Sequence, residues 1–349
     1  MVLSTAIAHA DTLRVATFAA PLSRDGPGLL LRDLTKGDAQ IDAIAAIIAQ
    51  TSPDILLLTN FDYDYDGVTL RTFADHLAGL GASYPYLFAT RPNSGTPTGV
   101  DMDGNGRLGE ARDAQGYGRF AGDGGLAILS RAPILTDQVQ DYTDRLWQSY
   151  DWAEMPVMHD SPFPSAMALS LQRLSSTAHW VVPIDTKDGP ITLLAFSATP
   201  PVFDGPEDRN GLRNRDEIRF WQHFLDGELG PVPQSHFVLL GNANLDPHDA
   251  EGRTETIQSL LNDPRLQDPE PRSEGGQSSQ SPDHSGDPSL DTVDWPEDGP
   301  GNLRVSYVLP SADWVVEDSG VFWPDDPGLL GDDGLAAGSH RLVWVDLRR

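Results

Sequence analysis

Three short stretches near the N-terminus leave this chain few folds to choose from. Leu13 to Phe18 is a β-like run, and Asp38 to Gln50 puts Ile41, Ile44, Ile47 and Ile48 on one helical face. After the break at Pro53-Asp54, Ile55 to Leu58 is a second apolar run. Strand, helix and strand in that order make a right-handed crossover, which needs parallel neighbours in a sheet and a helix on its face. The pattern predicts an α/β architecture. Gly124 to Leu129, Ile191 to Phe196 and His236 to Leu240 add further strand signals. Ala166 to Leu174 reads as a short helix. Asp216 to Trp221 reads as the opening of another, with its acids at the positive end of the dipole.

The 349 residues show no internal repeat and no second boundary, so residues 11–349 read as one domain. Pro269 to Pro300 is rich in Ser, Gly, Pro, Asp and Glu and predicts a long flexible surface loop. The net charge of −28 repels phosphate backbones, and no Lys/Arg cluster offsets it, so a nucleic-acid partner is not expected. Without cysteine there are no disulfides and no thiolate metal sites. No apolar run is long enough to span a bilayer. Met1 to Ala10 ends in Ala8-His9-Ala10, a small-x-small pattern like a signal-peptidase site, though the basic segment is missing. Residues 1–10 are read as a signal-peptide remnant, and a periplasmic or extracellular location is expected.

Two turns carry candidate chemistry. The run ending at Leu240 enters Gly241-Asn242-Ala243-Asn244-Leu245-Asp246-Pro247. Polar groups presented from a tight turn at a strand end are where α/β enzymes place their chemistry. The same residues also fit an ordinary Asn/Gly turn whose side chains satisfy local backbone. The second turn is Asp101-Met102-Asp103-Gly104-Asn105-Gly106, with oxygen side chains at alternate positions and Gly at the bend, as in a Ca²⁺ loop. There the Arg107 carbonyl would be a further ligand. Arg112 stands where the closing acid belongs, leaving Asp113 or Glu110 to complete the shell. His179, beside Trp180, is read as a packed and hydrogen-bonded residue.

The Gly241–Asn244 turn resembles the Gly-Asp-x-Asn motif of the endonuclease/exonuclease/phosphatase superfamily. More narrowly, it resembles an exported bacterial branch whose version reads Gly-Asp-Ala-Asn-Leu-Asp-Pro. The likeness extends from about Arg14 to Leu347 and includes Phe61 to Asp64, Phe203 to Gly211, Asp216 to Trp221, Arg304 to Ser311 and Ala337 to Trp344. It implies a four-layer sandwich of two packed mixed β-sheets flanked by helices. It also implies phosphoester hydrolysis, in which a divalent ion is held by a Glu with Asp and Asn helpers, an Asp activates water, and a His is oriented by an Asp.

At those positions this chain departs from the pattern. The first-strand Asn is replaced by Ala19, the metal-binding Glu by Asn60, and a phosphate-holding His by Ser197. The motif aspartate is Asn242, the His-orienting aspartate is Ser306, and the aspartate before the last His is Ser339. Only Asn244 and His340 match. Hard divalent cations need anionic oxygens, so Mg²⁺ or Mn²⁺ at this site is not expected. The resemblance therefore predicts a pseudoenzyme, a structural or interaction subunit with a protein partner. Two alternatives stand beside it: an active phosphoesterase that recruits Asp62, Asp64 or Asp246, and a small-molecule binder that uses the neutral pocket.

Overall fold

The Ile face of the helix between the first two core strands is set by a cap. Asp38 accepts hydrogen bonds from the Gln40 and Ile41 amides at 3.1 Å, and the helix runs Ala39–Thr51 from there. Ile41, Ile44, Ile47 and Ile48 are all buried, and each such side chain stabilises the fold by roughly 1.5–3 kcal/mol. The computed structural model describes residues 12–326, 328–331 and 334–349. The stretch read as a signal remnant lies outside these residues.

In chain order the strands are β1 (Leu13–Phe18), β2 (Ile55–Phe61), β3 (Tyr86–Phe88), β4 (Gly125–Ser130), β5 (Gln140–Asp141), β6 (Val157–Met158), β7 (Ser161–Pro162), β8 (Ala178–Thr186), β9 (Gly189–Ser197), β10 (Phe237–Asn242), β11 (Ser306–Pro310), β12 (Val315–Val321) and β13 (Val343–Arg348). The helices are α1 (Leu29–Lys36), α2 (Ala39–Thr51), α3 (Val68–Gly79), α4 (Ala166–Leu171), α5 (Arg209–Leu225), α6 (Thr254–Leu261) and α7 (Glu274–Ser278).

Two mixed sheets result, ordered β12-β13-β1-β2-β4-β3 and β11-β10-β9-β8-β5. Each has one parallel pair, β1 with β2 and β9 with β10, among antiparallel neighbours. The inner faces pack together: Val15, Leu57 and Ile128 of one sheet share a core with Val182, Leu193, Val238 and Val308 of the other. The opposite face of the second sheet, with Leu194, Phe196, Leu239 and Leu309, packs under Ile218, Trp221 and Phe224 of α5 and Ile257 of α6. Helices α2 and α3 cover the first sheet through Ile44, Ile48, Phe73 and Leu77. This is the four-layer α/β sandwich expected.

Three local expectations differ from the structure. Asp216 and Glu217 do not open a helix. They sit midway along α5, which starts at Arg209 and has no acid in its first turn. Both are fully buried, because they tie the helix to neighbouring loops. Asp216 accepts from the Trp147 indole and the Glu154 amide, and Glu217 from Ser176 and the Thr199 amide. Helix α1, which had not been expected, buries only Leu30. Residues 269–300, expected as a loose loop, carry α7 and a 3₁₀ turn at Pro288–Leu290. Ser273 caps α7, and Thr292 and Val293 are fully buried. His179 is packed as expected, with its ring nitrogens at 2.6 Å from Ser175 Oγ and 2.9 Å from the Glu217 carbonyl.

Candidate functional site

The expected site residues converge on one end of the sandwich. Asn242 ends β10 between Ser197, its parallel partner on β9, and Ser306, its antiparallel partner on β11. Gly241 makes this approach feasible: its φ is 146°, and a Cβ there would lie 1.9 Å from the Phe196 carbonyl oxygen. On the first sheet, Thr17 pairs with Val343, so Ala19 lies beside the segment that carries Ser339 and His340. Asn60 falls in the register shift between Thr59 and Phe61, with φ of 90°. Its carbonyl accepts from Leu22, which ties it to the chain after β1.

Residues 292–294 bridge the two sheets. Thr292 Oγ1 accepts from the Ser306 amide at 3.1 Å, Val293 pairs with His340, and the Asp294 amide donates to the Ser339 carbonyl. Arg341 is locked behind them by Asp294 at 2.7 Å and by the Trp323 ring, 4.6 Å from its guanidinium carbon. The resemblance marks Thr292 to Pro296 as an anchor within the polar loop, and these contacts are what it holds.

The amides are already occupied. Asn242 Nδ2 donates to Asn244 Oδ1, the Asn244 amide donates to Asn242 Oδ1, and Asn244 Nδ2 donates to the Ala198 carbonyl at 2.7 Å. Asn244 has φ of 50°, a left-handed position that Asn tolerates. The pair therefore meets the description of a self-satisfied Asn turn. Ser306 Oγ and His340 Nδ1 are different, since both are buried without a hydrogen-bond partner. Burial pushes His340 down to about 4, helped by the adjacent Arg341 charge. Its ring meets Trp295 edge to face at 5.5 Å.

The three carboxylates that could have replaced the missing ligands serve the backbone instead. Asp62 accepts from the Arg24 and Gly124 amides, Asp64 from Val68 and Thr69 at the start of α3, and Asp246 from His248, Asp249 and Arg304. Burial also raises Asp62 to about 6. One buried acid in this region escaped the sequence reading. Asp291, next to Thr292, is raised to about 8 by burial and by the charges of Asp246, Asp249 and Asp287. A carboxyl held near 8 is mostly protonated at neutral pH, so it presents no anionic oxygen. A Mg²⁺ or Mn²⁺ ion does not fit this donor set of bonded amides, hydroxyls and a weakly basic imidazole.

The Asp-rich turn forms a cluster of its own. One carboxylate oxygen from each of Asp101, Asp103 and Asp113 falls within 4.8 Å of the others. Asp101 accepts from Gly104 and Gly106, and Asp113, in the place of the closing acid, accepts from Met102 and Glu110. Asn105 donates to Asp103 and Glu110, and the Arg107 side chain reaches Glu110.

The buried titrating groups give stability a pH dependence whose sign can be worked out. His179 and His340 titrate near 4 in the fold, against 6.5 unfolded. The stability they contribute is full above pH 6.5 and is lost as pH falls toward 4. Glu217, raised to about 7 from 4.5, and Asp291, raised to about 8 from 3.8, behave oppositely. Their contribution is full below their unfolded values and is lost as pH rises toward 7 and 8. Above pH 6.5 the unfolded chain's His179 and His340 release only their remaining half-protons, a gain smaller than the carboxyls' loss, so net stability should fall between pH 6.5 and 8. At about 1.4 kcal/mol per unit, the loss is on the order of 1–2 kcal/mol. Urea denaturation across that window checks this, and a flat or rising curve contradicts it.

Residues 26–338 match the model of the Endonuclease/Exonuclease/phosphatase family. No curated protein sequence matches the chain. Among solved structures it is similar to an endonuclease/exonuclease/phosphatase from Beutenbergia cavernae DSM 12333, at 19% identity and a TM-score of 0.55, covering 97% of this chain and 72% of that one. Sphingomyelinase C from Streptomyces griseocarneus is similar at 17% identity and a TM-score of 0.51, covering 97% and 99%. An endonuclease/exonuclease/phosphatase family protein from Leptotrichia buccalis C-1013-b matches at 14% and 0.52, covering 97% and 100%. Similarity at these identities concerns the fold.

Proposed function

We propose that this chain, which belongs to the Endonuclease/Exonuclease/phosphatase family, is a catalytically inactive member that serves as a structural or interaction subunit. The observation that carries this reading is the donor set: none of Asn60, Ser197, Asn242, Asn244, Ser306, Ser339 and His340 is a carboxylate, Asn242 pairs with Ser197 and Ser306, and the Asn242–Asn244 amides are spent on each other and on Ala198. Asp62, Asp64 and Asp246 are the acids an active enzyme would recruit, and each already turns both carboxylate oxygens toward backbone amides. A partner protein outside the cytoplasm remains part of the proposal. No helix among the described residues is long and apolar enough to cross a membrane. Metal-dependent turnover of a phosphodiester by the pure protein is the result that would end this reading.

A second reading is favoured by the orphaned Ser306 Oγ and His340 Nδ1. Buried polar atoms without partners cost free energy, and a hydrogen-bonding small molecule would relieve that cost. Nucleotides and sugar phosphates that leave the melting temperature unchanged would speak against it.

We also propose that the turn at Asp101, Asp103, Asn105 and Asp113 takes Ca²⁺ and pins its insertion to the domain. Calcium at about 100 times its dissociation constant should stabilise the protein by about 2.7 kcal/mol. The shift should disappear in Asp101→Asn. A melting temperature indifferent to calcium in the unmodified protein rejects the idea.

A further inference from the structure

We propose that His223, Asp226 and Glu228 form a binding site for a borderline divalent cation of the Zn²⁺ class. The site is built by the end of α5. Beyond Leu225 the chain turns through Gly227, whose φ is 81°. The Glu228 amide donates back to the His223 carbonyl at 3.1 Å, and the Gly227 amide to that of Phe224. This turn lays Glu228 over the last helical turn, with Oε2 2.7 Å from His223 Nδ1. One ligand atom from each of His223, Asp226 and Glu228 lies within 4.8 Å of the other two.

The imidazole is held in place. Its ring lies flat on Trp152, 4.3 Å away and 6° from parallel, and Trp152 in turn stacks on Tyr150 at 4.8 Å. Its rotamer is therefore ordered by packing, so less freedom remains to be lost on ligation. One imidazole and two carboxylates suit Zn²⁺ and its neighbours, whereas Mg²⁺ and Ca²⁺ prefer all-oxygen shells. The C-terminal end of a helix dipole favours a cation, and the net charge of −28 concentrates cations near the surface. Asp226 is now paired with Arg265 at 2.7 Å, but Arg265 also holds Asp263 at 2.6 Å. Asp226 can thus leave without stranding the guanidinium.

The site lies far from the degenerate pocket and does not depend on how that pocket is read. Asn214, early in α5, donates to the Thr199 and Ala243 carbonyls beside Ser197 and Asn242. His223 follows Asn214 by nine residues, about 13 Å further along the helix axis.

The test is a calorimetric titration of the full chain with Zn²⁺ near pH 7, alongside Glu228→Gln and His223→Ala. The proposal expects one Zn²⁺ to bind and the affinity to fall by about 10-fold or more in each variant, with Mg²⁺ failing to compete. Glu228 is half exposed, so Glu228→Gln tests the site even if loss of the stacked imidazole unsettles His223→Ala. The absence of Zn²⁺ binding in the unmodified protein, or an affinity unchanged in Glu228→Gln, overturns the proposal.

Discussion

Ser306→Asp is expected to raise the pKa of His340 by about two units. Burial and the neighbouring Arg341 charge now hold the imidazole near 4, and a carboxylate within about 4–6 Å of a cationic group shifts its pKa by 1–3 units toward the charged form. The position suits such a pair. Ser306 is joined through Thr292 and Val293 to the backbone of His340, and both side chains carry a buried atom with no partner. The introduced Asp would be desolvated as well, so the two groups would titrate as a coupled pair. The variant should also lose less stability than the parent as pH falls from 6.5 to 4, because its fold can then accept the proton that the parent's fold refuses. NMR titration of the His340 ring reads this directly. A ring still titrating near 4 in the variant would mean that position 306 does not address the imidazole.

The sequence made the scaffold readable because burial has a period. The Ile face of α2 and the apolar runs of β1, β2, β9 and β10 are the strongest repeating signals in the chain, and all lie in the two cores. The site positions were readable for another reason. They sit at strand ends whose flanks, Phe61 to Asp64 and Leu245-Asp246-Pro247, keep their spacing around the substituted residues. Other features escaped because local pattern does not encode them. Asp216 and Glu217 look like a helix start by charge, but tertiary hydrogen bonds to Trp147, Ser176 and Thr199 hold them in mid-helix. Helix α1 buries a single leucine, so its periodicity is faint. Asp291 sits in a Ser/Gly/Pro-rich stretch that reads as solvent-facing, although the fold presses it against three other acids. Thr292 to Pro296 stands out as an anchor by resemblance, but its partners Ser306 and His340 are remote in sequence and no local pattern names them.

Loss of the catalytic carboxylates should reduce phosphodiester hydrolysis to the uncatalysed background. Removing a general base alone costs on the order of 10²–10⁴-fold. Without an anionic shell there is also no Lewis acid to neutralise the phosphate, and losses within one catalytic unit do not simply add. His340, near 4 and without an acidic partner, is neutral at pH 7 and too weak a base to compensate. The most direct test is hydrolysis of bis(4-nitrophenyl) phosphate by the pure protein, with Mg²⁺ or Mn²⁺ and with chelator. The account predicts equal rates in both conditions, unchanged in His340→Ala. A rate that needs the metal and collapses in His340→Ala would contradict it.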